Sequence, residues 1–312
     1  MLTENTVLLA KIEATYGTDP TPLTTANFIR VHNVSITPNV TYHDTMGQDV
    51  SLSPLAGTLG QKYYEITFDH ELIVDNVSTT TPPCDPLLLS CGFDDSDSDG
   101  VYVPYTIYPS GLSSCTIWVY FEDILYKMTG CRGNVEFNLT AGSPAILSFT
   151  LQGLYQAPSD STFPTSVTDT NFSSPLVCMG GSFDWDSSHH PCIESLAFSL
   201  NNTMAQRPCM TTDATHGIGG IEITNRMPEG SFNPEMVKTT TDDFQTHFAE
   251  LTQTAIAYAL TNGTVDVDIS LPKTEIMNIT PGDRNGVRIY DIPFRCVRSS
   301  GDDEISITVA AT

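Results

Sequence analysis

The sequence predicts a mainly β protein made of two tandem β-sandwich or barrel domains, each with one short helix. Three observations carry this expectation. Apolar and polar residues alternate with period two in many segments, helical patterns are confined to two short stretches, and a Ser/Thr/Pro/Asp-rich segment lies at the midpoint of the 312 residues. The boundaries that follow are a first domain over 1–157 with an extended N-terminal arm, a linker over 158–172, and a second domain over 173–312.

Each element has its own signal. Thr264 to Leu271 (TVDVDISL) puts Val265, Val267, Ile269 and Leu271 on one face and Asp266, Asp268 and Ser270 on the other, the pattern of a half-buried strand. Glu304 to Val309 repeats it. Tyr64–Phe68, Cys115–Phe121, Val135–Leu139, Ala145–Leu151 and Ile221–Thr224 are further β-branched or aromatic runs. Turn residues at Gly130–Asn134, Ala141–Pro144, Asn262-Gly263 and Pro281–Gly286 separate them at hairpin distances. The aromatics Trp118, Tyr120 and Phe121 fall inside an apolar run and read as core. Thr239 to Leu251 is the longer helix signal, with Thr and Asp to cap it and Phe244, Phe248 and Leu251 at i, i+4 and i+7. Pro86 to Cys91, with Asp85 before it and Gly92 after it, is the shorter one.

The midpoint segment prompts a search for duplication. Glu65 (EITF) is followed 20 residues later by Asp85 and a helix, and Glu222 (EITN) 20 residues later by Asp242 and a helix. After the helices each half continues with an apolar strand (Thr116–Phe121; Ala255–Leu260), a glycine turn (Gly133; Gly263), an alternating strand and a further strand pair. The charge divides evenly too: 5 Lys+Arg against 17 Asp+Glu over 1–156, and 8 against 20 over 157–312, so each half carries −12.

A net charge of −24 argues against a protein that grips nucleic acid by its phosphates, since that binding rests on Lys and Arg displacing counterions. The first residues lack the basic and apolar regions of a secretory signal, and no stretch reaches the roughly 18 apolar residues of a membrane span. Eight cysteines form no CxxC pair and are too sparse for a disulfide scaffold, so free thiols in a reduced compartment are expected. Eight Asn-x-Ser/Thr triplets, at Asn33, Asn39, Asn76, Asn138, Asn171, Asn201, Asn262 and Asn278, leave a secreted glycoprotein as a rival reading.

Chemistry-bearing motifs are incomplete. Asp95-x-Asp97-x-Asp99-Gly100 copies the first half of a calcium loop, but Thr106 stands where the bidentate Glu is required. Cys178, His189, His190 and Cys192 do not have a recurring zinc spacing. No GxSxG, HExxH, Walker lysine loop or dinucleotide glycine fingerprint occurs. The sequence therefore predicts no enzyme, no metal and no cofactor.

One family pattern runs along the chain. The opening Lys11–Val31 (KIEATYGTDPTPLTTANFIRV) and Val34–Pro38 (VSITP) are followed in order by Glu65–Leu72 (EITFDHEL), Pro86–Phe93 (PLLLSCGF) and Lys127–Gly133 (KMTGCRG). Phe149–Tyr155 (FTLQGLY), Ile221–Arg226 (IEITNR) and Gly286–Ile307 (GVRIYDIPFRCVRSSGDDEISI) complete it. This succession resembles the tail tube (major tail) proteins of long-tailed, non-contractile (siphovirus-type) bacteriophages. The resemblance implies tube-type β domains whose copies form rings stacked into a hollow tube that conducts DNA from capsid to host cell. It also implies a place in the virion tail after assembly in the host cytoplasm, with the tape measure protein and tail terminator or tip proteins as partners.

With two tube domains per chain, three chains would give a pseudo-hexameric ring; without the duplication, six chains would be needed. Asp266 and Asp268 are the candidate lumen-facing acids, since a wall that repels DNA keeps it from adsorbing; the alternative for them is an outer solvated face. The alternative is another virion β-protein, a tail terminator or capsid decoration subunit.

Overall fold

The computed structural model describes residues 5–22, 27–47, 53–74, 81–95, 100–104, 111–165, 167, 175–186, 189–211, 216–261 and 265–311. Among these residues the protein is mainly β, with two short helices. The first half contains β1 (Thr6–Ile12), β2 (Phe28–Ile29), β3 (His32–His43), β4 (Thr58–Glu71), α1 (Asp85–Ser90), β5 (Phe93–Asp94), β6 (Val101–Pro104), β7 (Cys115–Phe121), β8 (Ile124–Thr140), β9 (Ile146–Tyr155) and β10 (Ser159–Asp160). The second contains β11 (Ser182–Trp185), β12 (Ile193–Ser199), β13 (Thr203–Pro208), β14 (Ile218–Asn225), β15 (Glu229–Pro234), α2 (Phe244–Glu250), β16 (Thr254–Thr261), β17 (Val265–Ile276), β18 (Thr280–Arg284), β19 (Val287–Cys296) and β20 (Ser306–Ala311). No helix among them is long and apolar enough to cross a membrane.

All the strand pairs are antiparallel, and the same order of neighbours occurs in each half. In the first it is β1-β7-β8-β9-β4-β3. In the second it is β11-β16-β17-β19-β15-β12. α1 lies between β4 and β7 in sequence, and α2 between β15 and β16. Even the irregularities coincide: β7–β8 pairs Cys115 with Cys131 and then skips to Ile117 with Met128, while β16–β17 pairs Thr254 with Thr274 and skips to Ile256 with Leu271. Each skip is a β-bulge, which bends and twists its strand.

The halves are joined by hydrogen-bonded strands. β8 is long enough to pair with β7 along its first part and with β12 along its last, Glu136 to Thr140. There Phe137 stacks on Phe198 with centroids 4.7 Å apart, and Leu139 lies opposite Leu196. β6 pairs with β20, and one continuous buried core runs from Leu8 to Val309. The β13–β14 hairpin forms a separate two-stranded sheet that lies against β8, β9 and β4. Arg132, buried on β8, anchors it: its guanidinium donates to the carbonyls of Ile221 and Leu112, at 3.0 and 2.7 Å, and pairs with the Glu222 carboxylate. Gln206 donates to Gln152 at 2.6 Å.

Several sequence expectations need correction. Gly130–Asn134 is not a turn but part of β8. Gly130 has φ +61° at the bulge, its N–H donates to Glu13 Oε1 at 2.7 Å, and its carbonyl accepts from the Tyr16 hydroxyl at 3.2 Å. The glycine therefore permits a bulge without ending the strand. The turn between β7 and β8 is Glu122-Asp123, with Glu122 at φ +53°. Pro281–Arg284 belongs to β18, and only Asn285-Gly286 turns the chain.

The EITF/EITN match joins strands of different kinds: Glu65 is on β4, Glu222 on β14, and the pairing order makes β15 the counterpart of β4. α2 starts later than expected because Asp243 caps it, its carboxylate accepting from the Thr246 N–H at 3.1 Å, and Leu251 ends it at φ +51°. Two turns leave no room for a stripe to i+7. Only Phe244 is buried, against Trp185 at 4.5 Å, while Phe248 and Leu251 face solvent. The turn Asn262-Gly263 and Asp97, Asp99 and Thr106 of the acidic loop lie outside the described residues.

Candidate assembly and lumen surfaces

Asp266 and Asp268 lie on the outward face of β17, between β16 and β20. Asp268 is exposed and Asp266 half-buried, while Val265, Val267, Ile269 and Leu271 fill the core on the other side. Residues directly opposite one another in a sheet share a face, so the register defines the surface around them. Asp268 lies opposite Ala259 and Thr308, and Ser270 opposite Ala257 and Ser306. One strand further, Ser182 lies opposite Ala259 and Asp184 opposite Ala257. The resulting face is small-chained and polar, holds three aspartates, and has no Lys or Arg at these paired positions. Asp184 also contacts His190. Sequence reasoning missed Asp184, although Phe183 and Trp185 point inward on either side of it and the period-two pattern of SFDW would have found it.

The second surface is the arm formed by the distal parts of β3 and β4. β3 is largely exposed on both faces, and only β4 pairs with it among the described residues. Tyr42 (58% exposed), Met46 (95%), Leu55 (46%) and Leu59 (56%) present apolar side chains to solvent here. The arm holds its own shape: the Tyr42 hydroxyl accepts from the Gly57 N–H at 3.1 Å, and Thr45 Oγ1 donates to the Ala56 carbonyl at 2.6 Å. Beside it a groove of about 550 Å³ is lined by Val34, Ile36, Lys62, Tyr64, Phe121 and Tyr155, among others.

Buried Glu13 accepts four hydrogen bonds, from Ser114 Oγ, Thr116 Oγ1 and the N–H groups of Gly17 and Gly130, all at 2.6–2.7 Å. None of the eight cysteines forms a disulfide; six are buried, Cys209 is half-buried and Cys192 exposed. Burial pushes the Cys84 and Cys296 thiols up to about 12, which leaves them protonated and unreactive. Among the described residues no group of three or more His, Cys, Asp or Glu is placed to hold a metal ion.

No curated protein matches the chain. A family model described as phage tail tube protein matches residues 3–296. The chain thus belongs to the phage tail tube protein family, a structural component of the virion tail.

Proposed function

We propose that the chain is the ring-forming subunit of a siphovirus-type tail tube, in which stacked rings enclose a channel for the viral DNA and no catalysis is involved. The observation that carries this reading is the outward face of β11, β16, β17 and β20, where Asp184, Asp266 and Asp268 stand among Ala, Ser and Thr with no Lys or Arg at the paired positions. Such a wall attracts no phosphate, and screening over about 8 Å at physiological salt confines its effect to DNA passing close by. Small side chains also leave the bore unobstructed.

The repeated strand order supports two tandem tube-type domains per chain, and hence three chains per pseudo-hexameric ring. The tape measure protein within the channel and terminator or tip proteins at its ends are the partners of such a tube. Negative-stain microscopy of the purified chain at rising concentration tests the proposal. Rings with three copies that stack into filaments are expected. A single ring that never elongates would favour a tail terminator or capsid decoration subunit, and six copies per ring would remove the two-domain count.

A further inference from the structure

The junction inside the chain has two open counterparts. Four-residue rows across the two halves correspond: Thr37–Glu65–Gln152–Arg132 runs over β3, β4, β9 and β8, and Ser199–Glu229–Arg295–Glu275 over β12, β15, β19 and β17. Residues 33–37 of β3 therefore stand where 195–199 of β12 stand, and β18, which continues the line of β17 against β19, stands where the last part of β8 does. Within the chain, β12 and β8 pair over five positions. Among the described residues, the outer edges of β3 and β18 pair with nothing.

Building on the tube-subunit reading, we propose that a second copy of this chain seats its β18 edge along the β3 edge, repeating the β8–β12 junction from chain to chain. Three observations support this occupant. First, Val34 and Ile36 correspond to Leu196 and Phe198. The latter pair is buried beneath Leu139 and Phe137, whereas Val34 and Ile36 are half-buried and line the open groove.

Second, Lys62 lines that groove in a chain with only 13 Lys+Arg, and the β18–β19 hairpin exposes Asp283 and Asp291. Third, the connection between β12 and β15 is already engaged: β13–β14 buries Ile218, Ile221 and Ile223 against the chain's own first half. The corresponding β3–β4 arm is held at its base, where the Lys62 N–H and Gln61 Nε2 donate to the carbonyls of His216 and Gly217 at 3.3 and 3.2 Å, and beyond that base, among the described residues, it leaves Tyr42, Met46, Leu55 and Leu59 exposed. A contact between two different edges is heterologous, so it propagates head to tail and closes into a ring when the rotation allows. Unpaired strand edges are natural templates for such joining.

Cross-linking tests the edge assignment. One chain carries Ser35→Cys, and separate chains carry Pro281→Cys, Gly282→Cys or Asp283→Cys, all with Cys192→Ser and Cys209→Ser to remove the two cysteines that are not buried. Oxidation of each mixture is expected to give a disulfide-linked heterodimer in at least one pairing. Lys62→Glu, with folding verified by circular dichroism, should raise the concentration needed for assembly about tenfold, and adding Asp283→Lys and Asp291→Lys should restore it. Rings or tubes that form with no cross-link in any pairing and with no effect of Lys62→Glu would overturn the edge inference and leave the tube reading intact. Folded chains, verified by circular dichroism, that neither cross-link nor assemble at any concentration would overturn both.

Discussion

Two corresponding faces of the molecule have opposite chemistry. On the outward side of β1, β7 and β8 stand Leu9, Val7, Trp118, Tyr120 and Leu125; at the same register positions on β11, β16 and β17 stand Asp184, Ser182, Ala257, Ala259 and Asp268. The first face is a second hydrophobic cluster, covered by Phe28, Phe163 and Val167 of the same chain. Its two lysines are occupied, Lys127 by Asp19 at 3.0 Å and Lys11 by the carbonyls of Pro20 and Thr21 at 3.2 and 3.1 Å. Among the described residues the second face has no such cover. A repeated backbone topology thus needs only its inward residues repeated; the outward ones are free to diverge, because they answer to whatever lies outside the sheet.

The largest effect should come from uncovering the first face. Trp118→Ala removes a side chain that is 2% exposed, and a loss of about 3–5 kcal/mol in urea denaturation is expected. Ala257→Ser, at the corresponding position, should change stability by less than about 0.5 kcal/mol. Equal costs at the two sites would break the comparison.

Acid should act next, and on the first half. His70 on β4 donates from Nδ1 to the Arg30 carbonyl at 2.7 Å, and its Nε2 has no hydrogen-bond partner among the described residues. Burial, opposed by that hydrogen bond and aided by the nearby charges of His32 and Arg30, pushes its pKa down to about 4. An unfolded chain therefore takes up a proton between about pH 6.5 and 4 that the folded chain refuses. Stability is complete above about pH 6.5 and falls as the pH drops toward 4, by about 3 kcal/mol from this group. The pairing order places Pro234, which cannot titrate, at the corresponding position. Urea titrations across this range should show a shallower acid loss in His70→Gln; an unchanged profile would show that other groups dominate.

The bulges offer a third contrast. A Cβ at Gly130 would lie 2.7 Å from the Tyr16 ring, on backbone at φ +61°, so Gly130→Ala should cost about 2 kcal/mol. No left-handed residue occurs between Leu271 and Thr274 in the second bulge, so Lys273→Ala there should be near neutral. Thermal melts of the two variants measure the difference.

The smallest effect on stability, and the most telling for function, belongs to the acidic face. Asp266→Lys with Asp268→Lys should leave the folding free energy within about 0.5 kcal/mol of the parent. Assembled tubes should then retain duplex DNA in a salt-dependent manner. Tubes that bind no DNA after this reversal would place both residues away from the channel.

Much of this could be read from local pattern. Cys115–Phe121 coincides with β7, and the alternation at 265–271 assigns the inward and outward faces of β17 residue by residue, because a strand's side-chain period of two is fixed by its own backbone. Asp266 and Asp268 were legible as outward residues for the same reason. Local chemistry also marked both helices, through Asp85 before the first and the Thr and Asp residues before the second, although which of these caps α2 was not legible.

What only the tertiary structure decided is which strand lies beside which. Nothing near Gly130 in sequence distinguishes a turn from a bulge; that depends on Glu13 and Tyr16, more than a hundred residues away, receiving its backbone groups. The pairing of β8 with β12, the seat of β13–β14 on the first half and the open edges of β3 and β18 are likewise products of long-range pairing. The sequence by itself determined the β class and the inward face of alternating strands such as β17, since both follow from local periodicity. The tertiary structure decided how the halves join, because hydrogen bonds between strand edges are made by backbone groups that every residue type shares.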